Sequence, residues 1–229
     1  MKLLCGMAGK PLGLTRQFSH RVIPIPEHNK EFALKEPLNT CEICSAKVHG
    51  YEIIHSGNME AGYRRMCTSC FNASMADRMG LEDFDNSRID PIRLVDSDGQ
   101  EHEFHFTTHL FGDKLALNAF EMKEGVREGY EFQLIGDPEE ERFKLLGLLV
   151  QKIRRALACR HIQLDPRFGW QIVDQCVRGR IECDLDLPER MPMLVIDGQN
   201  ISWEELGRML MTFEGWQFRL NLLDRSEEP

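Results

Sequence analysis

The sequence predicts an α+β protein in which a small four-cysteine module precedes an antiparallel β-meander packed on a long helix. A smaller C-terminal hairpin–helix–strand unit completes it. Two Cys-x-x-Cys pairs flank a hairpin-like stretch, at 41–44 and 67–70. Four alternating segments with turn-forming sequences between them span 92–135, the pattern of half-buried strands. Capping sequences open helices at Asp137 and Ser202. Three regions follow: an extended arm over 1–40, the cysteine module over 41–80, and a body over 81–229 with a subdivision near 165–180.

Residues 1–40 bring Gly and Pro in quick succession, with Pro11, Gly13, Pro24, Pro26 and Pro37. Val22-Ile23-Pro24-Ile25-Pro26 reads as extended chain, because each proline fixes its own φ and moves the preceding residue out of the helical region.

Cys41-Glu42-Ile43-Cys44 and Cys67-Thr68-Ser69-Cys70 are separated by 22 residues. Two residues between cysteines let both sulfurs turn toward one point, and zinc takes four such ligands in a tetrahedron. Cys41, Cys44, Cys67 and Cys70 are therefore the expected ligands of one structural zinc ion. The intervening chain reads as a hairpin: Val48 to Ile54, a turn at Ser56-Gly57-Asn58, then Gly62 to Met66. Phe71, Met75 and Met79 recur at helical spacing and Gly80 is the expected C-cap. Cys67 and Cys70 would then sit at a helix N-terminus, where the dipole favours thiolates. His49 and His55 fall inside the hairpin and read as surface residues. A knuckle, a hairpin and a helix that supplies the last two ligands resembles the treble-clef zinc module, over residues 41–80 only. That resemblance implies a structural metal and no particular function, since protein binders, nucleic-acid binders and some nucleases share it. The nuclease branch also needs a histidine-bearing motif that this sequence lacks.

In the body, Ile92-Arg93-Leu94-Val95 runs into the turn Asp96-Ser97-Asp98-Gly99. Glu101 to Leu110 returns with Phe104 and Phe106 on one face. Leu115 to Met122 and Tyr130 to Ile135 follow, joined through Glu124-Gly125 to Glu128-Gly129. Asp137, Pro138 and Glu140 predict a helix start, and Phe143, Leu146, Leu149, Val150, Ile153 and Leu157 its sheet-facing side. Beyond it, Arg180 to Leu187 reads as a strand and Met193 to Ile201 as a hairpin about Asp197-Gly198. Ser202 and Glu205 predict a capped helix with Leu206, Met209, Leu210 and Phe213 inward. Trp216, Phe218, Leu220 and Leu222 alternate, which predicts a final strand with one buried face and a body that fails to fold when cut at Gly215.

No apolar run approaches the roughly 18 residues that cross a bilayer, and residues 1–5 lack a signal-peptide core. A reducing, cytoplasmic setting is the expectation, in which cysteines bind metal more often than they pair. Residues 1–80 carry 10 Lys/Arg against 7 Asp/Glu, and the remainder 18 against 30. An acidic body argues against wrapping nucleic acid over the whole surface.

Three functional readings remain. The first is a non-catalytic binding or regulatory protein that engages another protein, with zinc purely structural. The second is a nucleic-acid-binding regulator using Arg64, Arg65, Arg78 and Arg88. The third is an enzyme using His105 and His109, with His102 nearby. Residues four apart on a strand lie about 13 Å from each other, so His105 and His109 cannot share an ion without a bulge. Glu103, His105, Thr107 and His109 would line one strand face. Cys159, His161, Cys176 and Cys183 have irregular spacing, and core thiols explain them better than a second metal site. Lys152, Arg154, Arg155, Arg160 and Arg167 read chiefly as complements of a helix C-terminus.

Overall fold

The chain between the cysteine pairs turns back on itself twice. β1 (Asn39–Thr40) pairs antiparallel with β2 (Lys47–Val48), and β3 (Ile53–Asn58) with β4 (Gly62–Cys67). A single 3-10 turn at Gly50–Glu52 separates β2 from β3, so the strand expected over 48–54 is broken and the hairpin runs on to Asn58. α1 (Thr68–Met79) follows directly, with Cys67 as N-cap and Gly80 as a left-handed C-cap. Its buried residues are Asn72 and Ala76, one step out of phase with the expected Phe71 and Met79. The computed structural model describes residues 38–60, 62–184 and 190–227. The arm expected over 1–40 lies outside these, except that Asn39 and Thr40 already belong to the first sheet.

The meander is present as a four-stranded sheet in the order β5 (Ile92–Val95), β6 (Glu101–Phe111), β7 (Lys114–Lys123) and β8 (Val126–Gly136). β8 starts earlier than expected. The β7–β8 connection is the two-residue turn Glu124-Gly125, with φ of 53° and 86°, the mirror-image turn whose twist suits a hairpin.

α2 (Arg142–Leu157) lays Leu145, Leu149, Ile153 and Leu157 on the sheet. It begins one turn later than predicted. Asp137 accepts from the Glu139 N–H at 2.9 Å and closes a turn instead. Phe143 is 76% exposed, a correction to the predicted inward face, because it lies about 200° round the helix from Leu145.

The C-terminal region builds a second core on Ile162, Ile196, Ile201 and Met209. β9 (Ile162–Asp165) pairs with β10 (Gly169–Ile172), a hairpin the sequence reading missed. β11 (Arg180–Asp184), β12 (Met191–Ile196) and β13 (Gln199–Ser202) form a three-stranded sheet. α3 (Trp203–Leu210) starts at the expected capping box, the Ser202 side chain accepting from the Glu205 N–H at 3.1 Å. Leu210 faces solvent rather than the core.

The predicted last strand is absent. Trp216–Leu222 makes no ladder with any described strand, and Trp216, Phe218, Leu220 and Leu222 are 62, 90, 71 and 71% exposed. Alternation marks a face that wants cover, but it does not supply the neighbouring strand. The expectation that truncation at Gly215 unfolds the body falls with it, because these side chains add nothing to either core.

The turn Asp197-Gly198 joins the two parts of the body. Lys123 Nζ donates to the Gly198 carbonyl at 2.8 Å. Asp197 Oδ2 accepts from the His161 and Ile162 N–H groups at 2.6 and 2.8 Å. Gly198 has φ of 68°, and a Cβ there would meet the Tyr130 ring at 3.0 Å. Gly198→Ala should therefore destabilise by more than the ~1 kcal/mol of an ordinary glycine replacement. Increased amide exchange in β9, read by mass spectrometry, is the expected sign of the loosened junction.

Candidate metal centre

Cys41 and Cys44 sit on a tight knuckle. The Ser45 N–H donates to the Cys41 carbonyl at 3.0 Å and the Cys41 N–H to the Ala46 carbonyl at 2.9 Å. Ser45 takes φ of 61° to close the bend. Cys67 caps α1 and Cys70 lies in its first turn. The four sulfurs all lie within 4.8 Å of one another. Tetrahedral thiolates about 2.3 Å from a zinc ion stand about 3.8 Å apart, and Cys44 Sγ lies 3.8 Å from Cys67 Sγ.

The electrostatics favour a cation. Cys41 Sγ accepts from the Ile43 and Cys67 N–H groups at 3.4 and 3.2 Å. Burial opposes ionisation of Cys41, yet these backbone donors and that of Cys44 bring its thiol down to about 6. Burial raises Cys70, and the neighbouring Cys44, Cys67 and Cys41 thiols raise it further. Burial likewise raises Cys67. Four crowded thiolates are untenable alone, and a divalent cation among them reverses the balance. Cys41 is fully buried and Cys44 exposed, so the cluster lies just under the surface.

The module is clamped to the sheet. Asn72 Nδ2 donates to the Thr108 carbonyl at 2.8 Å, and Asn72 Oδ1 accepts from the Leu110 N–H at 3.0 Å. Asn86 Nδ2 donates to the Ser69 carbonyl at 2.7 Å. Arg142, in the first turn of α2, donates to the Asp85 carbonyl at 2.8 Å and also to the Ser87 carbonyl. The Tyr51 ring packs edge-on against Phe120 with centroids 4.9 Å apart.

Sequence reasoning placed Glu103, His105, Thr107 and His109 on one face of β6, and the register agrees. The structure does not bring His105 and His109 together. His105 Nδ1 lies 3.3 Å from Tyr51 Oη, and its Nε2 lies 3.0 Å from Glu103 Oε1. His109 Nδ1 lies 3.2 Å from Asn118 Nδ2, and burial followed by the nearby Arg127 holds its imidazole below the ordinary value. Arg65 donates to Glu42 at 3.0 Å and Arg88 pairs with Glu52, while Arg64 and Arg78 are exposed. Among the described residues, Cys159, Cys176 and Cys183 join no metal-binding group, and His161 Nδ1 lies 3.0 Å from the Cys176 carbonyl. In the basic cluster, Lys152 donates to the Gln133 and Arg225 carbonyls at 3.3 and 3.2 Å, and Arg160 pairs with Asp98.

His102 was missed as a separate feature because it was grouped with its neighbours along the strand. It faces the opposite side of the sheet and sits between two carboxylates. Its Nδ1 lies 2.7 Å from Glu121 Oε1 and its Nε2 3.2 Å from Asp96 Oδ2. Glu121 Oε2 also accepts from the Tyr130 N–H at 3.0 Å. Both ring nitrogens meet acceptors, so the imidazolium is the matched form. Glu121 and then Asp96 raise its pKa above the ordinary 6.5 against the opposing effect of burial. That stabilisation is complete below 6.5 and disappears as pH rises through the higher folded-state value. Asp96 shifts downward: burial opposes the shift, but its hydrogen bonds from Gln100 and His102 prevail. Its contribution is present above its ordinary 3.8 and disappears toward lower pH. Urea midpoints of the wild type should fall from pH 6 to pH 9 more steeply than those of His102→Gln. Parallel curves would contradict the charged pairing.

Three family models match consecutive stretches of the chain, each described as a domain of unknown function: DUF7685 at residues 40–82, DUF7686 at 85–158 and DUF7713 at 161–227. Their limits fall beside the cysteine module, the meander with α2, and the C-terminal region. No curated protein and no solved structure matched the chain.

Proposed function

We propose that the chain is a zinc-containing binding or regulatory protein whose single zinc ion, held by Cys41, Cys44, Cys67 and Cys70 in a treble-clef-like module, is structural rather than catalytic. The observation that carries this reading is the closed tetrathiolate geometry. Four protein sulfurs within 4.8 Å of one another, one pair of them 3.8 Å apart, would fill a tetrahedral coordination sphere and leave no position for water or substrate. The metal's work is to join the start of α1 to the Cys41–Cys44 knuckle.

The alternative sites give weaker support. His105 and His109 each engage separate neighbours, and His102 is closed in by its carboxylates. Arg65 and Arg88 are directed to carboxylates of the same chain, which reduces their reach for phosphate. A surface presented to another protein is the use of the module that we favour. No helix among the described residues is long and apolar enough to cross a membrane. A reducing compartment such as the cytoplasm would keep the thiolates available to the metal.

Elemental analysis of protein purified without added metal should return about one zinc per chain. His105→Ala and His109→Ala should leave both zinc content and fold unchanged. Loss of a bound metal in either histidine variant would favour the enzyme reading. Affinity capture from native cells should lose its protein partner with Cys67→Ser, while retention of that partner would detach binding from the module.

A further inference from the structure

We propose that residues 216–223 form a self-association strand through which two copies of this chain pair antiparallel about Leu220. The segment is pinned at both ends yet uncovered between them. At one end the Trp216 N–H donates to the Phe213 carbonyl at 2.9 Å, and the two rings meet edge-on at 5.5 Å. At the other, Arg225 pairs with Glu131 at 2.6 Å and its carbonyl accepts from Lys152 Nζ. Between these anchors the backbone pairs with no described strand, and Trp216, Phe218, Leu220, Leu222 and Leu223 all stand in solvent. The match to DUF7713 runs to residue 227, so this strap is part of the domain rather than an appended tail.

A second copy is the occupant that the segment's own pattern selects. Even-numbered residues from 216 to 222 are apolar, and 217, 219 and 221 are polar. Antiparallel pairing centred on Leu220 sets Leu220 opposite itself, Phe218 opposite Leu222, and Arg219 opposite Asn221. No like charges meet in that register, whereas parallel in-register pairing would stack Arg219 on Arg219. The unmatched backbone groups of the strap gain ladder partners. Trp216, Phe218, Leu220 and Leu222 form an exposed apolar face, and pairing shelters the flanks of these side chains that turn toward the partner strand. Exposed Leu210 and Met211, just upstream, extend the apolar surface that the ribbon can cover. A two-stranded ribbon alone is marginal, so the pairing draws on this neighbouring apolar surface as well.

Sedimentation of the full chain from about 1 to 100 µM covers the affinities expected for such an interface. The wild type should run as twice its 26.5 kDa mass. Phe218→Asp and Leu220→Asp should run as monomers with unchanged circular dichroism, because neither side chain contributes to a core. Phe143→Asp, on the exposed side of α2, should remain a dimer. Leu220→Cys should crosslink across the two-fold axis under mild oxidation faster than Leu164→Cys, with the wild type setting the background of native thiols. A monomeric wild type at 100 µM, a dimeric Phe218→Asp, or dissociation only by Phe143→Asp would each overturn the proposal. Should an aspartate variant misfold, the crosslinking comparison decides, and equal rates at positions 220 and 164 would overturn it.

Discussion

Stripping the zinc proposed at the four cysteines, or replacing Cys70 with Ser, should unfold residues 39–80 and expose the neighbouring edge of β6. The module's own core is Cys41, Val48 and Cys67, with Ile53 and Cys70 packed against it. Three of those five residues belong to the four-cysteine cluster, so the module has almost no apolar core of its own. Structural zinc contributes about 10–16 kcal/mol in small zinc-finger peptides, as much as or more than the roughly 5–15 kcal/mol that holds a whole domain. Without the ion, β4 and the start of α1 lose the point that joins them to the knuckle. Proteolysis and amide exchange across 62–79 should rise sharply. The Leu110 amide should follow, because its acceptor Asn72 rides on α1. The meander and α2 should keep their protection, since Leu149 and Ile153 pack independently of the metal. A chelated chain with native protection over 62–79 would refute the structural role of the cysteines.

The elements legible in the sequence were those with a local cause. The Cys-x-x-Cys spacing, the Asp-Gly and Glu-Gly turns and the Ser202–Glu205 box each fix geometry within a few residues. The β5–β8 order followed because hairpins connect sequence neighbours. What sequence could not show depended on distant partners. Asn72 on α1 reads as a surface polar residue until β6 lies beside it. His102 belongs with His105 and His109 by spacing, but strand alternation sends it to the opposite face, where Glu121 and Asp96 wait. The β9–β10 hairpin did leave a signal, Asp165-Pro166 followed by Gly169 between Leu164 and Trp170, and that signal was overlooked. Trp216–Leu222 is the instructive failure. Its alternation is real, while the partner that would make it a strand is not among the described residues.

Asn72→Ala should lower the unfolding free energy by about 2–5 kcal/mol while bound-metal content matches that of the wild type. β5 pairs only with the 101–104 end of β6, so from His105 onward β6 has no strand on that side among the described residues. Asn72, 1% exposed, takes the place of one. Its amide gives a donor to the Thr108 carbonyl and an acceptor to the Leu110 N–H, the pairing that a neighbouring strand would provide. Alanine leaves both backbone groups without protein partners, and each unmet buried group costs about 1–3 kcal/mol. Asn72→Asp keeps the acceptor for Leu110 but sets a carboxylate oxygen against the Thr108 carbonyl, so it should be no better than alanine. Asn221→Ala, at an exposed position, should change stability by less than about 0.5 kcal/mol. The four cysteines do not depend on the Asn72 amide, so metal retention separates this loss from the one caused by Cys70→Ser. If Asn72→Ala matched the wild type in urea unfolding, the amide would not be what docks α1 on the sheet.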